Sequence, residues 1–139
     1  MSAYSRASNM AAYQNTAAHG GVAAADSHKL ILMLMDGALE RIAGARGCME
    51  RKETGEKARL LNRSVSIIDE LRNSLDMQGG GQISANLAEL YDYMCRCILK
   101  ANADNTVRQL DEVTNLLHEI RGAWITIPAD VRNAARSAK

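Results

Sequence analysis

The single proline of this 139-residue chain stands at position 128. Nothing before it removes a backbone N–H or blocks the next turn of a helix, so long uninterrupted helices are open to almost the whole chain. Hydrophobic residues make up 47% of the sequence but aromatics only 4%, with no Phe. The core must therefore be assembled from Leu, Ile, Val, Met and Ala, and all of these except Val and Ile are strong helix formers.

Four segments carry apolar residues at helical spacing. The first runs from His28 to about Glu50, with Ile31, Met35, Ala38, Ile42, Ala45 and Met49 in its stripe; Asp26 or Ser27 can cap its first turn. The second runs from about Glu56 to Asp76, with Leu61, Ser64 or Val65, Ile68, Leu71 and Leu75. Gly79, Gly80 and Gly81 end it, because no helix interior tolerates three glycines cheaply. The third spans about Ile83 to Ala103 through Ile83, Leu87, Leu90, Met94, Ile98 and Ala101. The fourth starts near Asn105 or Thr106 and ends around Ile125, through Val107, Leu110, Val113, Leu117, Ile120 and Trp124. Short connections make neighbouring helices antiparallel. The expected architecture is an all-α antiparallel four-helix bundle over residues 26–127. A loosely ordered N-terminal arm over 1–25 precedes it, and an exposed tail over 128–139 follows.

Composition excludes several function classes. The formal charge is +1, from 17 basic and 16 acidic residues, with no basic stripe of the kind nucleic-acid binding leaves. No run approaches the ~20 apolar residues that span a bilayer, and the N-terminus lacks a signal-peptide layout. Both point to a cytoplasmic protein with no membrane insertion. Cys48, Cys95 and Cys97 fit neither a disulfide framework nor a zinc pattern and read as reduced thiols. A di-iron bundle needs Glu-x-x-His pairs, and no Glu has His three residues later. His19, His28 and His118 lie far apart and read as exposed or capping groups. The triple glycine follows a helix and lacks the Gly-Lys-Ser/Thr of a phosphate loop. The expectation is no enzyme, no metal and no cofactor.

What the pattern has in excess is apolar surface. Leu30 to Met35 reads Leu-Ile-Leu-Met-Leu-Met. Six consecutive helical residues sweep about 600°, so some must point away from the bundle axis. Leu60 and Ile67 on the second helix, Tyr91, Tyr93, Cys95 and Leu99 on the third, and Leu116, Ala123 and Ile127 on the fourth form further stripes. Taken one at a time they read as flanks of the core. Taken together they suggest a groove that accepts another helix.

The segment Gly80-Gly-Gln-Ile-Ser-Ala-Asn-Leu-Ala-Glu-Leu-Tyr-Asp-Tyr-Met94 resembles the signature run of the flagellin-specific secretion chaperone family, FliS. His28-Lys-Leu-Ile-Leu-Met-Leu-Met-Asp-Gly-Ala38 and Ser66-Ile-Ile-Asp-Glu-Leu71 resemble two further family runs, and Tyr13-Gln14, Ala101-Asn102 and Ala123-Trp124 fall where the family has similar pairs. The resemblance covers roughly residues 10 to 125. Ser27 replaces a usual Pro, and Met35 a usual aromatic.

The resemblance implies a chaperone that binds the disordered C-terminal segment of flagellin, prevents premature polymerisation and delivers it to the flagellar type III export gate. It makes Leu30, Leu34, Ile67, Leu87, Tyr91 and Met94 candidates for the client groove or its support. Met10 and Tyr13 become candidates for a self-cap or a gate contact made by the arm. The chain itself is expected to be a monomer or a weak homodimer. Two other readings stay open on the residues alone: a helical enzyme or metalloprotein, and a self-assembling adaptor.

Overall fold

The computed structural model describes residues 21–126. They form four α-helices: α1 (Gly21–Arg51), α2 (Thr54–Asn73), α3 (Gly81–Asp104) and α4 (Arg108–Thr126). Each helix packs on its two neighbours, α1 on α2, α2 on α3, α3 on α4 and α4 on α1, which closes a ring. The ring is antiparallel throughout. Asp36 in the middle of α1 pairs with Arg121 near the end of α4, and Arg46 further along α1 pairs with Asp111 near the start of α4. Across α2 and α3, Arg72 pairs with Asp92 and Lys57 reaches Asn102. This is the expected four-helix bundle.

The turns explain why the helices stop where they do. Lys52 adopts a left-handed conformation, φ 60°, and the Glu53 N–H reaches back to the Cys48 carbonyl at 2.8 Å. Asn105 does the same at the end of α3, φ 54°, with the Thr106 N–H on the Ala101 carbonyl at 3.2 Å. Both close orphan carbonyls in Schellman-type caps. Between α2 and α3, Asp76 Oδ1 accepts from the Gln78 and Gly79 N–H groups at 3.1 and 2.8 Å. The chain then enters α3 through Gly81 at φ +55°, a conformation that a side chain would strain.

The α1 stripe read from the sequence is the buried stripe: Ile31, Met35, Ala38, Ile42, Ala45 and Met49 are all in the core. Most of the Leu30–Met35 excess is taken up sideways. Leu32 and Leu34 pack against the core from its flanks, and only Met33, 59% exposed, points clear of the bundle. Leu61, Ser64, Ile68 and Leu71 of α2 and Leu110, Val113, Leu117 and Trp124 of α4 are buried as expected.

Four expectations need correction. First, α1 starts at Gly21, well before Asp26 or Ser27, so Ser27 is not its cap; it lies inside the helix and is buried. Second, His28 is neither exposed nor a cap: it is half-buried and bonded to Trp124. Third, the first half of the α3 stripe is turned by one residue. Ser84, Ala88 and Tyr91 face the core, while Ile83 is 51% exposed and Leu87 and Leu90 are half-buried. Small residues fill a core position wherever helices approach closely, and a hydrophobicity pattern does not register them. Fourth, Ile67 belongs to the core rather than to a surplus stripe, because it packs under Gly37 of α1, where an added Cβ would sit 3.6 Å from its Cδ1.

Candidate functional site

The α1–α2 contact is tight because glycine lines it. A Cβ on Gly44 would approach Leu60 Cδ1 to 3.1 Å, so the side chain's absence is what lets the helices meet. The α3–α4 contact is different. Ile83, Asn86, Leu90 and Tyr93 recur at spacings of three and four on one side of α3, and Glu112, Leu116, Glu119 and Ala123 do so on α4. The two rows meet at one end, where the Tyr93 hydroxyl donates to Glu112 Oε2 at 2.5 Å.

Along this seam the rows are open. Leu90 and Leu116 are half-buried, and Ile83 and Ala123 are exposed. Leu87 and Ile120, also half-buried and packed on the core, sit deeper and supply a floor. A depression of about 530 Å³ lies along α3 and is lined by Asn86, Glu89, Leu90, Asp92, Tyr93 and Arg96, all of that helix. At its far end the Arg96 guanidinium lies 5.8 Å above the Tyr93 ring. The Glu112 carboxylate pushes the Tyr93 phenol well above its ordinary range, so the bridging hydroxyl keeps its proton.

Other exposed apolar groups gather at the open end. Met77 lies in the turn between α2 and α3, Ile83 in the first turn of α3 and Ile125 in the last turn of α4, and Met33 lies twelve residues into α1. Among the described residues, Leu99 is the remaining strongly exposed large apolar side chain.

The sequence-derived candidates divide between two seams. Leu30 and Leu34 lie on the face of α1 that carries Gly37, and Ile67 lies opposite, on the tight α1–α2 side. Leu87 lies in the floor of the α3–α4 seam, and Tyr91 and Met94 are buried behind it, 3% and 0% exposed. Met10 and Tyr13 lie outside the described residues. Asn86, Glu112 and Glu119, on the walls of the open seam, were not singled out from the sequence. Their heptad-like spacing is legible there, but the register that pairs the two rows is not.

Among the described residues no three His, Cys, Asp or Glu side chains are placed to hold a metal ion. No described helix is long and apolar enough to cross a membrane.

Comparison with known proteins agrees with the reading of the motifs. The chain is similar to the flagellar secretion chaperone FliSB of Pseudomonas aeruginosa, 43% identical over 115 residues, which is 83% of this chain and 91% of the relative. It is 40% identical over 119 residues to the flagellar secretion chaperone FliS of Salmonella typhimurium, covering 85% and 88% of the two chains. It is 36% identical over 125 residues to that of Vibrio cholerae, covering 90% and 92%. The family model for flagellar protein FliS matches residues 9–131, nearly the whole chain, and the chain therefore belongs to the FliS family.

Proposed function

We propose that this protein is a cytoplasmic flagellar export chaperone that binds the disordered C-terminal segment of flagellin. It keeps that segment from polymerising early and delivers it to the flagellar type III export gate. The observation that carries the reading is the open apolar seam between α3 and α4, in a chain whose relatives are named flagellar secretion chaperones. An amphipathic helix laid into such a seam buries its apolar face against Ile83, Leu87, Leu90, Leu116 and Ile120. The client is ordered on binding, and apolar burial over an extended surface offsets the entropy lost. Chaperoning of this kind needs no catalytic group.

The arm is proposed to act as a competing lid through Met10 and Tyr13, covering apolar surface until the client displaces it. Leu30, Leu34 and Ile67 then support the fold or a second client contact on the α1–α2 side, and Tyr91 and Met94 support the seam from behind.

Binding of monomeric flagellin by isothermal titration tests the reading. Flagellin lacking its C-terminal helix should not bind, and equal binding of both forms would sink the proposal. The double substitution Leu90→Glu with Leu116→Glu should weaken binding at least tenfold while the helical circular dichroism stays unchanged, since each side chain buries apolar area worth about 1–3 kcal/mol. Deleting residues 1–20 should leave the bundle folded and leave affinity equal or higher.

A further inference from the structure

Two arginines enter the α1–α2 contact without a carboxylate. Gly37, Arg41 and Gly44 follow one another at spacings of four and three, so they share one face of α1. Leu60, Arg63 and Ile67 do the same on α2, at spacings of three and four. The two rows are fixed against each other at both ends. A Cβ on Gly37 would lie 3.6 Å from Ile67 Cδ1, and one on Gly44 would lie 3.1 Å from Leu60 Cδ1. Arg41 and Arg63 fall between these two contacts, one on each helix.

The Arg41 guanidinium folds back over Gly37. Its Nη1 lies 3.4 Å from the position of the missing Cβ and donates to the Gly37 carbonyl at 3.0 Å. Ile67 Cδ1 approaches the same point, so the guanidinium reaches into the contact. Arg63 is half-buried, and its Nη1 is fully covered yet donates to nothing. Other arginines are satisfied: Arg46, Arg51, Arg59, Arg72 and Arg121 each hold a carboxylate. Among the described residues no carboxylate pairs with Arg41 or Arg63. Glu70, two turns beyond Arg63 on the same α2 row, holds neither. A covered N–H without an acceptor destabilises the free protein, and two like charges on one contact add repulsion.

The surroundings are apolar. Leu30 and Leu34 continue the α1 row beyond Gly37, and both are half-buried, as Leu60 is on α2. Two cations with most of their donors unused thus stand among apolar side chains. A carboxylate matches the fork of a guanidinium. Apolar neighbours favour a carboxylate carried on a peptide over a free, hydrated anion.

We infer that Arg41 and Arg63 form the seat for an Asp or Glu side chain of the bound client, whose adjoining apolar side chains rest on Leu30 and Leu34. The inference rests on the chaperone reading and gives the chemistry of the client contact on the α1–α2 side. The client supplies the acceptor that the free protein lacks. A segment without an acidic residue in that register leaves the donor unpaired and is selected against.

The test uses the full-length chain and purified monomeric flagellin. Arg41→Gln with Arg63→Gln should weaken binding about tenfold at low salt in isothermal titration. The gap to wild type should narrow at about 0.5 M NaCl, where charges near the surface are screened. The same variant loses the unsatisfied cation, so the thermal midpoint of the free protein should stay equal or rise. Lysine at both positions should recover only part of the binding, since it keeps the charge without the fork. Each Asp and Glu of the flagellin C-terminal segment is then changed to its amide, one at a time. One of these changes should weaken binding to the wild type by a similar factor and cause no further loss with the double Gln variant.

Unaltered affinity in the double Gln variant, alongside lost binding in the Leu90→Glu, Leu116→Glu protein, would overturn the arginine-seat inference and leave the chaperone reading standing. A loss of affinity that follows a fall in thermal midpoint would make the arginines structural and overturn it too. So would losses that simply add at every acidic position of the client. Flagellin that fails to bind the wild type would bring down both.

Discussion

His28 and Trp124 hold each other by two reciprocal hydrogen bonds. The imidazole Nε2–H donates to the Trp124 carbonyl at 2.9 Å, and the indole Nε1–H donates to the His28 carbonyl at 3.1 Å. Their rings stack at 5.2 Å, 15° from parallel. The clasp ties α1 to the last turn of α4 at the open end of the bundle, beside the seam. Trp124 is also in the core.

Replacing Trp124 separates these contributions. Trp124→Ala should cost about 3–5 kcal/mol of stability in urea unfolding, the range for removing a buried large aromatic. Trp124→Phe keeps most of the apolar area but loses the indole donor, and should cost clearly less. If the two variants unfold at the same midpoint, the ring's burial contributes little and the hydrogen bond dominates.

Lys57 is buried, yet its ammonium group is satisfied. Nζ donates to the Asn102 carbonyl and to Asn105 Oδ1, both at 3.1 Å, at the C-terminus of α3. A cation there meets the negative end of the helix dipole, one backbone carbonyl of the last turn and the side-chain oxygen of the residue that ends the helix. Lys57→Met should destabilise by about 1–3 kcal/mol, the range for leaving buried polar groups unpaired. Asn105→Gly should cost less than Asn105→Ala, since both lose the acceptor but glycine accepts the φ of 54° without strain. Thermal denaturation of the three variants checks the order.

The α1–α2 approach predicts a size threshold at Gly44. Alanine there meets only the far end of Leu60, at 3.1 Å, and gains helix propensity, so Gly44→Ala should leave stability within about 1 kcal/mol of wild type. Gly44→Leu should cost about 1–3 kcal/mol through overpacking. Adding Leu60→Ala to Gly44→Leu should recover part of that loss. A Gly44→Leu protein as stable as wild type would show that the two helices separate without penalty.

The Cys95 thiol is pushed up to about 12, first by burial and then by the charges of Asp69 and Asp92, with Asp69 Oδ1 3.8 Å from the sulfur. A thiol in the unfolded chain ionises near 8.5. The folded state therefore holds its proton longer, and the stability this contributes is complete below about pH 8.5 and is lost as pH rises toward 12. The urea midpoint should fall between pH 8.5 and 11, and Cys95→Ser should reduce that fall. At pH 8 in the native protein, Cys95 should react with a thiol reagent far more slowly than a free thiol does.

The degree to which the sequence could be read varies along the chain in a physically sensible way. On α1 the small core residues, Ala38 and Ala45, fall at the same helical spacing as Ile31, Met35, Ile42 and Met49, and the stripe from Ile31 to Met49 is the buried one. On α3 the same method picks Ile83, Leu87 and Leu90 and passes over Ser84 and Ala88, which are the residues that face the core. Hydrophobicity ranks side chains by transfer free energy, whereas a position is buried because of how near the next helix comes. The misplaced half-stripe is also the wall of the open seam, so the error and the candidate site coincide.

The helical class, the four segments and the match to the FliS family were determined by the sequence alone, because periodicity, missing prolines and motif order are local or linear properties. Only the tertiary structure decided which seam is open. Gly37 and Gly44 draw α1 and α2 together, while Tyr93 and Glu112 join α3 and α4 at one end and leave Leu90 and Leu116 half-covered beyond it. That outcome depends on the register between residues far apart in the chain, and no local pattern encodes it.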